Sequence, residues 1–319
     1  MGMREAKIRM LGDLVVWYLF LGGAGAGLLF VTAVLETLSP HAIDRFRAEK
    51  DHRYAPKELY GRFFGPAYGV GIATVVFGIA CLLFDLGRSE RALNLFLQPT
   101  VSFITVGAFA LAALVFLAAI LFIIWMFGIA ALPRVFAVLV RSCCMVVAFA
   151  VMVYTGLFLS SMSAIELWSS FWLPVLFVVS ALSTGLALLV CVVVLTGSGD
   201  DFTSTLRRVQ KADVLVIICE LAVLAAFVVS ALFGGETARL SIERIVHGDL
   251  ASVFWGCVVF LGLLVPLACE VLNRRFNSYG VIASGVLVLV GGFFLRWCIS
   301  EAGMAPDIVA SAMMLLGIQ

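Results

Sequence analysis

Histidine is scarce in this sequence of 319 residues, which contains only His41, His52 and His247. All three fall in polar connecting stretches and none falls in an apolar segment. A b-type haem inside a membrane needs histidine ligands from the spanning segments. The sequence therefore excludes such a haem, because the spanning segments contain no histidine to bind it.

The eight cysteines include no C-x-x-C pair, and all of them lie in apolar segments. Iron–sulfur clusters and structural zinc sites are usually held by cysteines at that spacing. A free cysteine in an apolar stretch is most often a small hydrophobic residue. We therefore expect no haem, no iron–sulfur cluster and no other metal redox centre in this chain.

Charge is also scarce: 13% of the residues are charged and the formal net charge is +1, so nothing favours nucleic acid as a partner. By contrast, 63% of the residues are hydrophobic without glycine, against about 45 to 50% with glycine in ordinary soluble domains. The connecting stretches are too short to fold by themselves. The sequence predicts an integral membrane protein with a single membrane domain over residues 1–319.

Eight apolar segments are long enough to cross a bilayer as helices, which takes about 20 residues each. They span about 13–38, 64–84, 99–126, 138–161, 172–196, 213–233, 251–272 and 279–300. We expect an all-α fold of eight transmembrane helices, arranged as two four-helix bundles. Residues 302–319 are predicted to form a short outer tail.

The basic residues are distributed unevenly between the two sides of this predicted bundle. Eight spans place both termini on the same side, and the loops on the other side carry most of the lysines and arginines. Because positive loops stay in the cytoplasm, this predicts a multi-pass protein of the cytoplasmic membrane of a prokaryote, with both termini outside. Arg4, Lys7 and Arg9 ahead of the first span oppose that orientation.

Polar side chains near the spans form two groups when they are sorted by depth. The outer group comprises Asp13, Asp85, Arg88, Tyr154, Arg296 and Glu301, and the inner group comprises Glu36, Arg141, Glu220 and Glu270. Two such groups suit either a transporter with two gates or a quinone site on one side with a proton route to the other. Transporters usually bind substrate at the midplane on broken helices. The middle of these segments has neither prolines nor charges, which favours the quinone site.

Each of these residues also has a simpler interpretation. Tyr154 either belongs to an aromatic belt at the membrane interface or donates a hydrogen bond to a ligand. Arg296 either reaches the interface with its long side chain or serves a site. Gly23 and Gly27 allow close approach of a neighbouring helix or of a flat ligand. The charges from Asp85 to Arg91 either end a helix or close the outer group.

Several short motifs follow one another along the chain. They are Tyr18-Leu19-Phe20-Leu21-Gly22-Gly23, Asp85-Leu86-Gly87-Arg88 with Glu90-Arg91, Tyr154-Thr155-Gly156 with Ser160, Leu173-Pro174-Val175-Leu176-Phe177 through Ser180 and Gly185, and Gly291-Gly292-Phe293 with Arg296. In this order over eight helices, the chain resembles the NrfD-type membrane subunits of polysulfide reductase and related quinone-linked oxidoreductases.

The resemblance implies an eight-helix subunit that is not catalytic alone. Such subunits anchor an iron–sulfur protein with four clusters and, usually, a molybdopterin catalytic subunit on the outer side. They exchange electrons with menaquinone or ubiquinone at a site in the outer half of the membrane.

Residue roles follow from this resemblance together with the depth sorting. The expected quinone site comprises Tyr154, Asp13, Trp17, Asp85, Arg88 and Gly23; a possible proton path comprises Glu36, Glu220, Glu270 and Arg141; and the expected partner interface comprises Arg88, Arg91, Glu166 and Arg296. Some family members have Asn and His on the first helix, where this chain has Leu14 and Trp17. Two alternatives are therefore a structural anchor without a quinone site and a proton-coupled secondary transporter.

Overall fold

A computed structural model describes residues 12–38, 56–85, 103–127, 134–161, 165–197, 202–272 and 278–304. These residues form the helices α1 (Asp13–Leu38), α2 (Pro56–Asp85), α3 (Phe103–Met126), α4 (Arg134–Ser160), α5 (Trp172–Leu195), α6 (Thr203–Leu232), α7 (Glu236–Val246), α8 (Ala251–Val253, continued by Phe254–Leu264 and Val265–Leu272) and α9 (Ser278–Gly303). No strand occurs within these ranges.

Eight of these helices are long and apolar enough to cross a membrane, each with a mean hydropathy of at least 2.0 over its most apolar window. They are α1 to α6, α8 and α9. The prediction of an all-α protein with eight spans is thereby confirmed. The arrangement as two four-helix bundles stays a prediction, and α1 packs on α2, α4, α5 and α9.

The helix α6 begins well before its predicted segment at 213. Its first turns are amphipathic: Leu206 and Val209 are buried, whereas Arg207 and Arg208 are exposed. A helix can continue beyond its apolar core when its charged side chains face outward. Counting apolar residues alone therefore places this start too late, and α2 likewise begins ahead of its predicted segment.

The short helix α7 was not predicted, because its sequence is polar overall. It is amphipathic, with Ala238, Ile242 and Ile245 buried and with Arg239 and Glu243 joined by an exposed ion pair. Its apolar stripe has the spacing of one helix face. The connection between α6 and α8 is thus a folded helix that packs on the end of the bundle.

The first helix lies at the centre of the structure. In its most apolar window 78% of the residues are buried, against 28% in α2. The glycines of α1 make this possible: a Cβ atom on Gly27 would overlap the carbonyl oxygen of Ala181, and a Cβ atom on Gly185 would overlap the backbone of Gly27. The backbones of α1 and α5 therefore meet directly, as small residues permit.

Successive spans run in opposite directions, which gives the bundle two ends. We call the end where α1 begins and α9 ends the terminal face, and the other end the opposite face. Contacts confirm this grouping of helix ends: Trp168, ahead of α5, donates to the carbonyl oxygen of Ile299 near the end of α9 (3.1 Å), whereas Arg141 of α4 reaches Glu36 near the end of α1.

The helix α8 contains an eleven-residue π-helical segment, Phe254–Leu264. Within it, Gly262 meets Gly291 of α9 so closely that a Cβ atom on either residue would overlap the other. This contact holds α8 against the part of α9 that leads to Arg296. The wide turns of α8 thus position Glu270, the charged residue of its last turns.

Candidate functional site

Two carboxylates lie together where α1 begins and α2 ends. Asp85 interacts electrostatically with Asp13, and its Oδ1 occupies the space beside Gly12, where a Cβ atom would overlap it. The structure therefore brings together two of the residues that the sequence assigned to the outer group. They form an acidic spot on the terminal face.

Two phenols lie one to two helical turns below this face. Tyr18 of α1 is fully buried and Tyr154 of α4 is 7% exposed, and their hydroxyl groups are close enough to interact. Both rings contact Phe158, and the Tyr154 ring packs on the backbone of Gly107 in α3. The Tyr154 hydroxyl is a polar neighbour of Tyr18 Oη, but Tyr18 Oη forms no well-aligned hydrogen bond with a described residue. A buried hydroxyl without a partner is uncommon and indicates a site for a further polar group.

Trp17 faces away from the two phenols, because consecutive residues of a helix point in different directions, whereas Leu14 lies one turn before Tyr18 on the same side of α1. Trp17 is 45% exposed and stacks on Phe293 of α9, with ring centroids 4.4 Å apart. Leu14 is 37% exposed. The structure thus places Trp17 on the outer surface between α1 and α9, and not beside Tyr154.

Arg296 of α9 is completely buried. Its Nη1 donates to Ser180 Oγ (3.2 Å) and to the carbonyl oxygen of Gly292 (2.8 Å). The guanidinium lies 5.2 Å from the ring centroid of Phe177. Its Nε and Nη2 atoms have no partner within the described ranges, and Nη2 points at the Cβ position of Gly23, 3.1 Å away. Burial removes Arg296 from the surface on which a partner could dock, so its predicted interface role does not fit the fold.

Glu220 of α6 is the buried counterpart of Arg296. It is 3% exposed, interacts electrostatically with Arg296, and lies near the hydroxyl groups of Ser180 and Ser183 on α5. A charge inside a membrane is costly unless it is paired or hydrated, and it usually marks function. Gly23, Arg296, Glu220 and Ser180 therefore form one polar cluster inside the bundle.

The other acidic residue of the first helix, Glu36, is fully paired. Its Oε1 forms an ion pair with Arg141 (3.2 Å), its Oε2 accepts a hydrogen bond from the Tyr68 hydroxyl (2.6 Å), and its backbone oxygen accepts a second bond from Arg141 (3.0 Å). Burial of an ion pair is tolerable when further hydrogen bonds satisfy both ions. The three residues join α1, α2 and α4 near the opposite face, and we call them the Glu36 cluster.

Asp213 of α6 and Glu270 of α8 meet in the same half of the bundle. Asp213 is 3% exposed and Glu270 is partly buried, and their carboxyl groups lie within hydrogen-bonding reach of each other. No lysine or arginine of the described ranges forms an ion pair with either of them. We call this contact the carboxyl pair.

Glu166, predicted to contact a partner, is exposed on the terminal face. Its Oε2 accepts a hydrogen bond from the Thr237 hydroxyl (2.6 Å), which ties the connection before α5 to the start of α7. A cavity of about 380 Å³ opens beside it, between the ends of α5 and α6. Farther along, Arg244 donates two hydrogen bonds to Asp249 and lowers the pKa of that carboxyl group.

The predicted outer group is therefore divided. Asp13 lies with Asp85, and Tyr154 lies with Tyr18, whereas Gly23 lies with Arg296 on another side of α1. Arg88 and Arg91 fall outside the described residues. Of the predicted proton path, Glu36 and Arg141 form one cluster, whereas Glu220 and Glu270 belong with Asp213.

Sequence reasoning missed three residues of these clusters: Tyr18, Tyr68 and Asp213. Asp213 marks only the start of a predicted span, although it lies seven residues before Glu220 and so shares its helix face. Tyr18 is adjacent to Trp17, and the small residues on α1 indicate which sides of that helix are buried. Nothing in the sequence pairs Tyr68 with Glu36, since that contact joins two helices.

The fold and the buried polar residues define the class: a membrane protein with eight helical spans, with two buried tyrosines near one face and buried acidic residues nearer the other. The family model described as "Polysulphide reductase, NrfD" matches residues 9–306. The chain belongs to this family, and it is a multi-pass membrane subunit of the polysulphide reductase type.

Individual relatives agree with this assignment. The chain is 26% identical to the C subunit of polysulfide reductase from Wolinella succinogenes over 317 residues, covering 91% of this chain and 94% of that protein. It is 29% identical to "Protein NrfD homolog" of Haemophilus influenzae and to "Protein NrfD" of Escherichia coli. Those two matches cover 47% of this chain and 48% of each relative, so the chain spans about half the length of these two proteins.

Proposed function

We propose that this chain is the quinone-interacting membrane subunit of a multi-subunit oxidoreductase. It exchanges electrons between the membrane quinone pool, menaquinone or ubiquinone, and an iron–sulfur partner subunit. A molybdopterin catalytic subunit completes the complex on the side of the terminal face. The observation that carries the proposal is the pair of buried phenols near this face, in a chain of the polysulphide reductase family.

The chemistry of the two phenols fits a quinone. A quinone oxygen accepts hydrogen bonds, and a phenol hydroxyl donates one. Tyr18 Oη is buried and has no partner within the described ranges, so a ligand oxygen would satisfy it. The aromatic ring of Phe158 and the bare backbone at Gly107 supply flat, apolar surfaces on which a ring can lie.

Proton exchange at this site falls to the acidic spot on the terminal face. A bound quinone takes up or gives off two electrons and two protons. Asp13 and Asp85 lie where α1 and α2 reach that face, within one to two helical turns of Tyr18 along α1. We assign to them the acceptance and release of protons at the surface, while Tyr18 and Tyr154 hold and orient the ring.

A binding experiment tests the quinone site directly. Purified protein in lipid nanodiscs is titrated with a fluorescent quinol-analogue inhibitor, and quenching of its fluorescence reports binding. We expect Tyr154→Phe and Tyr18→Phe each to weaken binding about tenfold, the value of one hydrogen bond to a buried group. The matched control is Tyr60→Phe, since Tyr60 is equally buried but lies at the opposite face.

The outcomes separate the alternatives. Equal binding by the wild type and both phenol variants would remove the two tyrosines from the site. Absence of any quenching, in a protein that still forms the reductase complex, would indicate a structural anchor. Uptake of a solute by vesicles containing the chain alone would support the transporter instead.

The partner is expected on the terminal face, which carries the exposed Glu166 and the helix α7. Arg88 and Arg91 come shortly after α2 in the sequence, and we assign them to the same interface. Arg88→Ala should then impair electron transfer from quinol to the partner while the membrane subunit remains folded and binds the quinol analogue. Normal turnover of the assembled Arg88→Ala complex would contradict this role.

Orientation is a separate part of the proposal, with the terminal face outside the cytoplasmic membrane. Single cysteines in place of Arg239 on α7 and Arg208 on α6 would report on it, because both residues are exposed and lie at opposite ends of the bundle. An impermeant maleimide added to intact cells should label the first and not the second. The reverse labelling pattern would show that the protein has the opposite orientation in the membrane.

A further inference from the structure

Two carboxyl groups meet inside the membrane-spanning part of the chain, and no lysine or arginine of the described residues forms an ion pair with them. Asp213 comes from α6 and Glu270 from α8, and their side chains are within hydrogen-bonding reach. Asp213 Oδ1 and Glu270 Oε2 nevertheless have no donor among the described residues. Ionised carboxylates only accept hydrogen bonds, so this contact becomes a hydrogen bond only when one of the two carries a proton.

Among the described residues, the neighbours of the pair supply no counter-ion for it. Glu220, two turns further along α6, adds a third acid nearby. From α9, Arg296 interacts with Glu220, and α5 presents the neutral Ser180 and Ser183 to the same residue. The cations on the first turns of α6 are exposed and make no ion pair with either member of the carboxyl pair in the described structure. Two negative charges in contact at such a place repel each other strongly.

We propose that Asp213 and Glu270 together form a binding site for one exchangeable proton, filled from the opposite face. Two adjacent carboxyl groups that cannot both be ionised hold a shared proton as a unit. Glu270 lies close to the end of α8 and remains partly exposed, so protons can reach the pair from that face. This inference does not depend on quinone binding.

Polar groups on neighbouring helices also indicate a route for this proton into the bundle. Asp213 and Glu220 share one face of α6, because seven residues make two helical turns. Beyond Glu220 lie Ser180 and the guanidinium of Arg296, whose Nε and Nη2 are unpartnered in the described structure. A line of polar groups therefore leads from the carboxyl pair toward the middle of the bundle.

A hydrophobic carbodiimide tests the site, because this reagent reacts with protonated carboxyl groups in apolar surroundings. The whole protein in nanodiscs is treated with dicyclohexylcarbodiimide at several pH values, and modified peptides are quantified by mass spectrometry. We expect labelling at Glu270 that decreases as the pH rises. In Asp213→Asn the new amide N–H can donate a hydrogen bond to the ionised form of Glu270 without a shared proton, so labelling of Glu270 at neutral pH should fall at least about tenfold.

The chain offers a matched internal control in Glu36, which is also buried but is paired with Arg141 and Tyr68. Glu36 should stay unlabelled under the same conditions. Equal labelling of Glu36 and Glu270, or labelling of Glu270 that does not respond to Asp213→Asn, would overturn the proposal. Protection of Glu270 from labelling by sodium ions at constant pH would show that the pair binds a cation instead of a proton.

A second measurement covers the case in which Asp213→Asn does not fold. The infrared spectrum of the wild type at neutral pH should contain the carbonyl stretch of a protonated carboxyl group, and Glu270→Gln should remove it. An unchanged band in Glu270→Gln would contradict the shared proton. Quenching of the quinol analogue should be the same in all these variants, so failure of this proposal and failure of the quinone site are distinguishable.

Discussion

Two buried acidic sites lie in the half of the bundle nearer the opposite face, and they are built in opposite ways. In the Glu36 cluster, both carboxylate oxygens have partners, one a guanidinium and the other a phenol. In the carboxyl pair, Asp213 faces another acid, and one oxygen on each side chain has no donor in the described structure. Burial is costly at both sites, but within the described ranges only the first is compensated by a cation.

The difference indicates different roles. A buried charge with all its partners holds helices in register and resists a change of protonation. A buried acid next to another acid changes its protonation readily, which is a disadvantage for stability and an advantage for carrying protons. Sorting residues by their depth in the membrane places Glu36 and Glu270 in the same predicted proton path. From their contacts we propose a structural role for the Glu36 cluster and proton binding for the carboxyl pair.

The largest expected change in stability comes from removing the cation of the Glu36 cluster. Arg141→Leu leaves a carboxylate buried with one hydrogen bond, and breaking a buried pair in this way costs about 3 to 5 kcal/mol. We expect a strong decrease in the thermal unfolding midpoint, measured in detergent with a thiol-reactive fluorophore. The double variant Arg141→Leu with Glu36→Gln should recover most of the loss. Equal instability of the single and double variants would show that Arg141 acts by packing and not by charge.

A second comparison uses two buried phenols. Tyr68→Phe removes the 2.6 Å hydrogen bond to Glu36, and a hydrogen bond to a charged group contributes about 1.5 to 3 kcal/mol. Tyr18→Phe removes a hydroxyl group without a partner in the described structure, so it should hardly change the unfolding midpoint. Similar losses in both variants would mean that Tyr18 also has a structural partner, and would weaken its assignment to the quinone site.

The sequence was sufficient for the architecture but not for these contacts. Long apolar segments predicted all eight spans, because crossing a membrane requires length and hydrophobicity that few other structures need. They did not reveal α7 or the early start of α6, where amphipathic turns replace a continuous apolar run. The helix ends were therefore the weak point of the prediction.

Depth along each helix was also predictable, but rotation about its axis was not. Asp13, Tyr154 and Arg296 do lie in the half of the bundle nearer the terminal face, yet α1 separates Tyr154 from Arg296. Which side of a helix meets which neighbour depends on packing between distant segments, as at Gly27 and Gly185. The position of a residue in its helix specifies its depth in the membrane. Whether two residues form a site also depends on how each helix is rotated about its axis.

The carboxyl pair should respond to substitution in the opposite direction from the Glu36 cluster. Glu270→Gln replaces one acid by a neutral amide that can donate a hydrogen bond to Asp213. This hydrogen bond no longer requires a bound proton, so the substitution should stabilise the protein, by about 1 kcal/mol or less. A raised unfolding midpoint in Glu270→Gln, beside a lowered one in Glu36→Gln, would establish the contrast. A large loss of stability in both variants would place the carboxyl pair among the structural contacts.

The smallest effect is expected at Arg244 and Asp249, an exposed ion pair that serves as the reference for both buried sites. Because Asp249 is 62% exposed, Asp249→Asn should lower the stability by only about 0.5 kcal/mol or less at neutral pH. Arg244 lowers the pKa of Asp249 in the folded state, so the contribution is present above the ordinary aspartate pKa of about 4 and disappears as the pH falls through the lower folded value. Unfolding midpoints of the wild type and the variant should therefore converge in acid. A difference that persisted there would show that Asp249 acts through its hydrogen bonds to the backbone of its own turn, at Asp249 and Leu250, and an exposed charge would then no longer be a fair baseline for the buried ones.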